Sequence, residues 1–118
     1  MTRYEMVRML VLNEIADDFE EPDHIRGRLS ELGSDCGLAV DPSDVNHALV
    51  DLVKLGWAKA YDLWKEPREE LQAVPGLEEV GKYYYWITPE GRHIQSSFEG
   101  WPFDDEGAPV PGWLPPAI

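Results

Sequence analysis

Asp41-Pro42-Ser43-Asp44-Val45-Asn46-His47-Ala48-Leu49-Val50-Asp51-Leu52-Val53-Lys54-Leu55-Gly56 is a helix with both ends written into it. Asp41 is a good N-cap, Pro42 suits the first helical turn, and Asp41 and Asp44 lie at the positive end of the helix dipole. Val45, Ala48, Leu49, Leu52, Val53 and Leu55 recur at the spacing of one buried face, and Gly56 supplies the left-handed residue that ends a helix. The opposite face reads Ser43, Asp44, Asn46, His47, Val50, Asp51 and Lys54.

Upstream, Thr2 and Glu5 form a capping-box pattern, and Tyr4, Val7, Val11 and Ile15 follow at helical spacing, which predicts a helix from about Arg3 to Ala16. Met6, Met9, Leu10 and Leu12 make that helix apolar on more than one side. Its expected place is the centre of the core, with a second subunit as a further source of cover. After an acidic connector, Asp17 to Glu21, Pro22 and Asp23 open another helix that carries Ile25, Leu29 and Leu32 inward and is predicted to stop at Gly33. Ser34 to Val40 then joins it to the helix at Asp41.

Downstream, Trp57 to Trp64 alternates between two faces, and Lys82 to Thr88 is dense in aromatics, so the two read as an antiparallel ribbon. Its connection, Lys65 to Gly81, holds two bases and five acids, with a helical turn expected over Arg68 to Ala73. Alternation puts Tyr83, Tyr85 and Ile87 on one side and Tyr84 and Trp86 on the other. One set needs cover, expected from the C-terminal tail or a second subunit. Thr88-Pro89 starts a last helix with Ile94 and Phe98 inward. Residues 99–118 hold five prolines and three glycines, which forbid regular helix, yet they carry Trp101, Phe103, Trp113 and Leu114. Aromatic side chains of that size predict a tail packed on the domain or on a partner.

Three helices, a Gly-Trp strand and then Lys82-Tyr83-Tyr84-Tyr85-Trp86-Ile87-Thr88-Pro89-Glu90-Gly91-Arg92 resemble the winged helix-turn-helix domain of bacterial regulators of the phenolic-acid-repressor (PadR-like) and MarR-like types. The resemblance covers about residues 3–98. It implies an α+β fold with a three-helix core, a two-stranded β-wing and a short C-terminal helix, here a domain over 1–98 followed by the Pro-rich tail 99–118. It also implies a homodimeric transcription regulator that reads DNA with helix 41–56. Carried onto this chain, Ser43, Asn46, His47 and Lys54 would face the groove, with Lys65 and Arg68 on the wing. Arg26 and Arg28, exposed on the preceding helix, are further candidates for phosphate contact.

Charge argues for a different use of that shape. Ten Lys and Arg against 23 Asp and Glu leave a net charge of −13, and residues 1–40, 41–56, 57–92 and 93–118 are each net acidic. Duplex binding draws on basic residues that displace counterions, so such a chain begins with a penalty against nucleic acid. The favoured expectation is therefore a non-enzymatic module that works through protein contacts, as a homodimer or docked on a partner. Tyr84, Trp86, Trp101, Phe103 and Trp113 are its candidate interface residues. The DNA-binding regulator, with Arg26, Arg28, Lys54 and Lys59 gathered on one face, is the alternative.

Other chemistry finds little footing. His24, His47, His93 and Cys36 form no metal-ligand spacing, the serines lack a nucleophile elbow, and the glycines fit no phosphate-binding loop, so no metal, cofactor or enzymatic activity is expected. The longest run of aliphatic residues and methionine, Met9 to Leu12, is far short of the roughly 20 residues that span a bilayer. A single cysteine and the lack of a signal-type apolar stretch point to the cytoplasm.

Overall fold

The computed structural model describes residues 1–65 and 67–118. In order, the chain forms α1 (Arg3–Glu14), α2 (Pro22–Cys36), α3 (Pro42–Lys54), β1 (Ala58–Asp62), β2 (Glu69–Glu70), a 3-10 turn (Leu77–Lys82), β3 (Tyr84–Ile87) and α4 (Pro89–Ser97). It is an α+β fold with one small antiparallel sheet in the order β2-β1-β3.

Capping decides where two of the helices begin. The Thr2 hydroxyl accepts from the Glu5 amide at 3.1 Å while the Glu5 carboxylate accepts from the Thr2 amide at 3.0 Å. Asp41 and Asp44 repeat the device at α3, with Ser43 N donating to Asp41 at 3.0 Å and Asp41 N to Asp44 at 3.1 Å. Each pair satisfies amides that a helix start would leave unpaired. Gly56, with φ of 78°, then turns the chain so that Trp57 N bonds the Leu52 carbonyl at 3.0 Å.

α2 runs past the expected stop. Gly33 is needed for room, since a Cβ there would lie 2.5 Å from the Leu38 carbonyl oxygen, and the left-handed residue that ends the helix is Gly37, with φ of 80°. Cys36 is thus the last residue of α2 and half-buried, and the joint to α3 shortens to 37–41.

α1 is the centre of the core. Met6, Val7, Met9, Leu10, Val11, Leu12, Ile15 and Ala16 are all buried within a single chain, so no second subunit is required to cover this helix. Ile25 and Leu29 of α2, Val45, Ala48, Leu49 and Leu52 of α3, and Ala58, Ala60, Tyr85 and Ile87 of the sheet close around it. Burial of this apolar surface is the main favourable contribution to folding.

β1 pairs with β3 in the register Ala58↔Ile87, Lys59↔Trp86, Ala60↔Tyr85 and Tyr61↔Tyr84, and with β2 at Tyr61↔Glu70 and Asp62↔Glu69. The ribbon expected to have two strands thus has three. The helical turn expected over Arg68 to Ala73 gives way to β2, because pairing with the free side of β1 satisfies its backbone, Leu71 N donating to Ala60 O at 2.8 Å. Strand pairing ends at Asp62, where the side chain accepts from Trp64 N at 3.1 Å and turns the chain.

Tyr85 and Ile87 point into the core and Tyr84 and Trp86 point out, as alternation requires; Tyr83 is half-buried. The cover over Trp86 comes from the connector between α1 and α2. Phe19 lies 5.2 Å from Trp86 and 5.1 Å from Tyr61, ring centre to ring centre, and Glu20 pairs with Tyr85 through backbone bonds of 3.1 and 2.9 Å.

The Thr88 hydroxyl accepts from Gly91 N at 3.0 Å and donates to Gly56 O at 2.7 Å, so one side chain both caps α4 and ties it to the exit of α3. The tail folds back on its own domain. Trp101 packs edge-on against Phe98 at 4.7 Å and stacks with Phe103 at 5.6 Å, Trp113 Nε1 donates to Gly100 O at 3.0 Å, and Arg3 N donates to the Ile118 carbonyl. Among the described residues, no helix is long and apolar enough to cross a membrane.

Candidate interaction surfaces

The outward face of α3 is engaged within the chain. Arg26 of α2 donates from Nη1 to Asn46 Oδ1 at 2.7 Å and is itself paired with Asp23. His47 Nδ1 lies 2.8 Å from the Ser43 carbonyl oxygen. Arg3 reaches across from α1 to Asp44 at 2.6 Å, and the hydroxyl of Tyr4 donates to Asp51. The Arg3 hydrogen bond holds the Asp44 carboxyl below its ordinary range, while burial and the Asp51 contact push the Tyr4 phenol up.

Val50 was placed on the outward face by helical spacing, yet it is buried at 8% exposure. The 3-10 turn and the segment before it pack across α3, leaving a cleft in which Val74, Pro75, Gly76 and Leu77 stand opposite His47, Val50, Asp51 and Lys54. A helix laid in a DNA major groove needs that side open along its length. Here Ser43, His47 and Lys54 stay exposed, while Val50 is buried and the C-terminal half of the helix faces Val74 to Leu77 across the cleft.

Most of the other bases contact partners within the chain. Arg28 faces away from α3 toward Glu14 of α1 at 3.6 Å, Lys59 pairs with Glu70 at 3.0 Å, Lys65 with Glu69 at 2.9 Å, and Lys82 with Glu79. Hydrogen bonds that Lys59, Lys65 and Lys82 donate to their glutamates raise the ammonium pKa values of these lysines. Arg68 lies over the Phe19 ring at 5.1 Å, Arg8 over Trp57 at 5.6 Å, and Arg92 donates to the Ala16 carbonyl at 2.7 Å. Exposed pairs of this kind add little stability, but each offsets a positive charge that a phosphate would otherwise meet.

The aromatic candidates separate into two clusters. Trp86 belongs with Phe19 and Tyr61 on the outer face of the sheet, near Tyr84, whereas Trp101 and Phe103 belong with Phe98 on the tail side; no ring pair links the clusters among the described residues. All five are partly buried and none offers a bare face. The most exposed large apolar residues are Ile118 at 90%, Trp64 in the β1–β2 turn and Leu114 in the tail, both at 82%, and Met1 at 62%.

Sequence reasoning missed Phe19, Arg3, Tyr4 and the Val74–Leu77 segment, whose roles arise only across the fold. Phe19 carried one usable signal: it is a lone aromatic in an acidic connector, and a large apolar side chain so placed calls for a partner surface. No protein-family model, no curated protein and no solved structure matches this chain.

Proposed function

We propose that the chain is a winged-helix module that acts through protein–protein contacts rather than by reading DNA. The order of three helices, antiparallel ribbon and short final helix supports the winged-helix layout, with β2 as a third strand beside the ribbon. The observation that carries the functional reading is the state of α3. Its amide, Asn46, is held by Arg26, its acids Asp44 and Asp51 are held by Arg3 and Tyr4, and Val74 to Leu77 lie beside its C-terminal half.

Electrostatics supports the same reading. The net charge of −13 repels a polyanion, and Arg26, Arg28 and Lys59 each sit against a carboxylate. A strongly acidic surface favours fast association with a basic partner. Packing of the tail on its own domain leaves dimerisation without the exchange of that segment.

The test is fluorescence anisotropy of a labelled random duplex at low salt, titrated with the protein into the micromolar range. No rise in anisotropy is expected. A rise that collapses steeply with added salt is the mark of phosphate contacts and would replace this proposal with the DNA-binding regulator.

A further inference from the structure

A groove runs along the seam between α1, α2 and the tail. One half is a cavity of about 280 Å³ with Leu32 and Phe103 as apolar floor and Glu31 and Asp35 on its wall. The other half, about 360 Å³, is walled by Asp17, Glu20 and His24. Asn13, Glu14 and Arg28 line both, so the halves adjoin.

Charge and shape in this groove suit one kind of occupant. Glu14, Asp17, Glu20, Glu31 and Asp35 line it, and the basic side chains among the described lining residues are Arg28 and His24. The Asp104 turn, closed by bonds of 2.9 Å from Glu106 N and Ala108 N, holds Asp105 and Glu106 exposed next to Phe103 and Gly107 at its rim. Burial raises the Glu20 carboxyl pKa despite the opposing influence of His24 and Arg28. An apolar floor under carboxylate walls matches lysine and arginine, whose aliphatic stems lie on apolar surface while the charged head seeks an acid. The chain itself supplies an instance: the Arg28 guanidinium crosses the middle of the groove to Glu14, whose side chain is only 14% exposed.

We propose that this groove receives an extended segment rich in Lys and Arg from a partner protein. The inference rests on the protein-contact reading above and names the surface and the partner's chemistry.

The experiment titrates the full chain into labelled octalysine and octaarginine, with octaglutamate, spermidine and random duplex as further arms. Glu31→Gln with Asp35→Asn, both exposed positions, tests the groove; Glu78→Gln with Glu90→Gln removes the same charge elsewhere. Loss of two exposed ion pairs weakens binding about fivefold in the groove variant, against less than about twofold in the control. Arg28→Ala, which frees Glu14, tightens binding more than Lys82→Ala does. Equal losses in groove and control variants, or spermidine binding as tightly as the peptides, would overturn the groove as the site while leaving the protein-contact reading in place. Failure of both cationic peptides to bind also overturns it, and duplex binding would overturn the protein-contact reading itself.

Discussion

Phe19 and Trp86 face each other at 5.2 Å across the outer side of the sheet, although they are far apart in sequence and belong to a connector and a strand. With Tyr61 edge-on at 5.1 Å, Phe19 covers the aromatic surface that strand alternation turns away from the core. The contact also holds the connector in place for Glu20 to pair with Tyr85.

Phe19→Ala removes that cover, and a half-buried aromatic lost in this way costs about 2 kcal/mol. The melting temperature falls, and exchange at the Tyr85 amide, now bonded to Glu20 O at 2.9 Å, accelerates. Truncation after Phe98 leaves Phe19 on Trp86, so Tyr85 exchange stays closer to that of the whole chain. The opposite order of the two effects would mean that the tail, and not Phe19, protects this face.

Gly91 is required by space. A Cβ on it would lie 2.1 Å from the Trp57 carbonyl oxygen, which is itself the acceptor for Thr88 N at 3.0 Å, so neither backbone can yield cheaply. Gly91→Ala therefore destabilises by about 3 kcal/mol or more. Urea unfolding checks it, and a midpoint within error of the parent would refute the close approach.

The Arg3–Asp44 pair makes stability depend on pH in a definite direction. Asp44 has its pKa lowered in the folded chain, chiefly by the hydrogen bond from Arg3, from an ordinary value of 3.8. A depressed carboxyl pKa adds stability above that ordinary value and loses it as pH falls through the folded one. Arg3→Met thus costs about 0.5–1 kcal/mol near neutral pH, a modest figure because the pair is partly exposed. The difference from the parent should narrow as pH falls below the ordinary 3.8 and Asp44 is protonated. A gap that is unchanged between pH 7 and pH 3, measured by urea unfolding, would show that Arg3 acts through packing alone.

Local sequence was sufficient wherever one segment carried the whole cause. Thr2 with Glu5, Asp41 with Asp44, Thr88 before Pro89, and Gly56 set helix ends through bonds to near neighbours, and these stand where the spacing placed them. Alternation in Tyr84 to Ile87 likewise chose which aromatics enter the core. Gly33 misled because a glycine reads the same whether it frees φ or makes room, and its neighbour Leu38 comes close only through the turn at Gly37. β2 was missed because a strand of two residues has no period and exists only through its partner on β1.

Composition determined the large negative charge, and residue order the helices and the aromatic ribbon. Only the tertiary structure decided that Phe19 covers Trp86, that Arg26 faces Asn46 while Arg28 turns to Glu14, and that Val74 to Leu77 cross α3. Helical and strand periods are properties of consecutive residues, whereas these contacts join side chains distant along the chain. Which carboxylate meets which base depends on packing that no local spacing encodes.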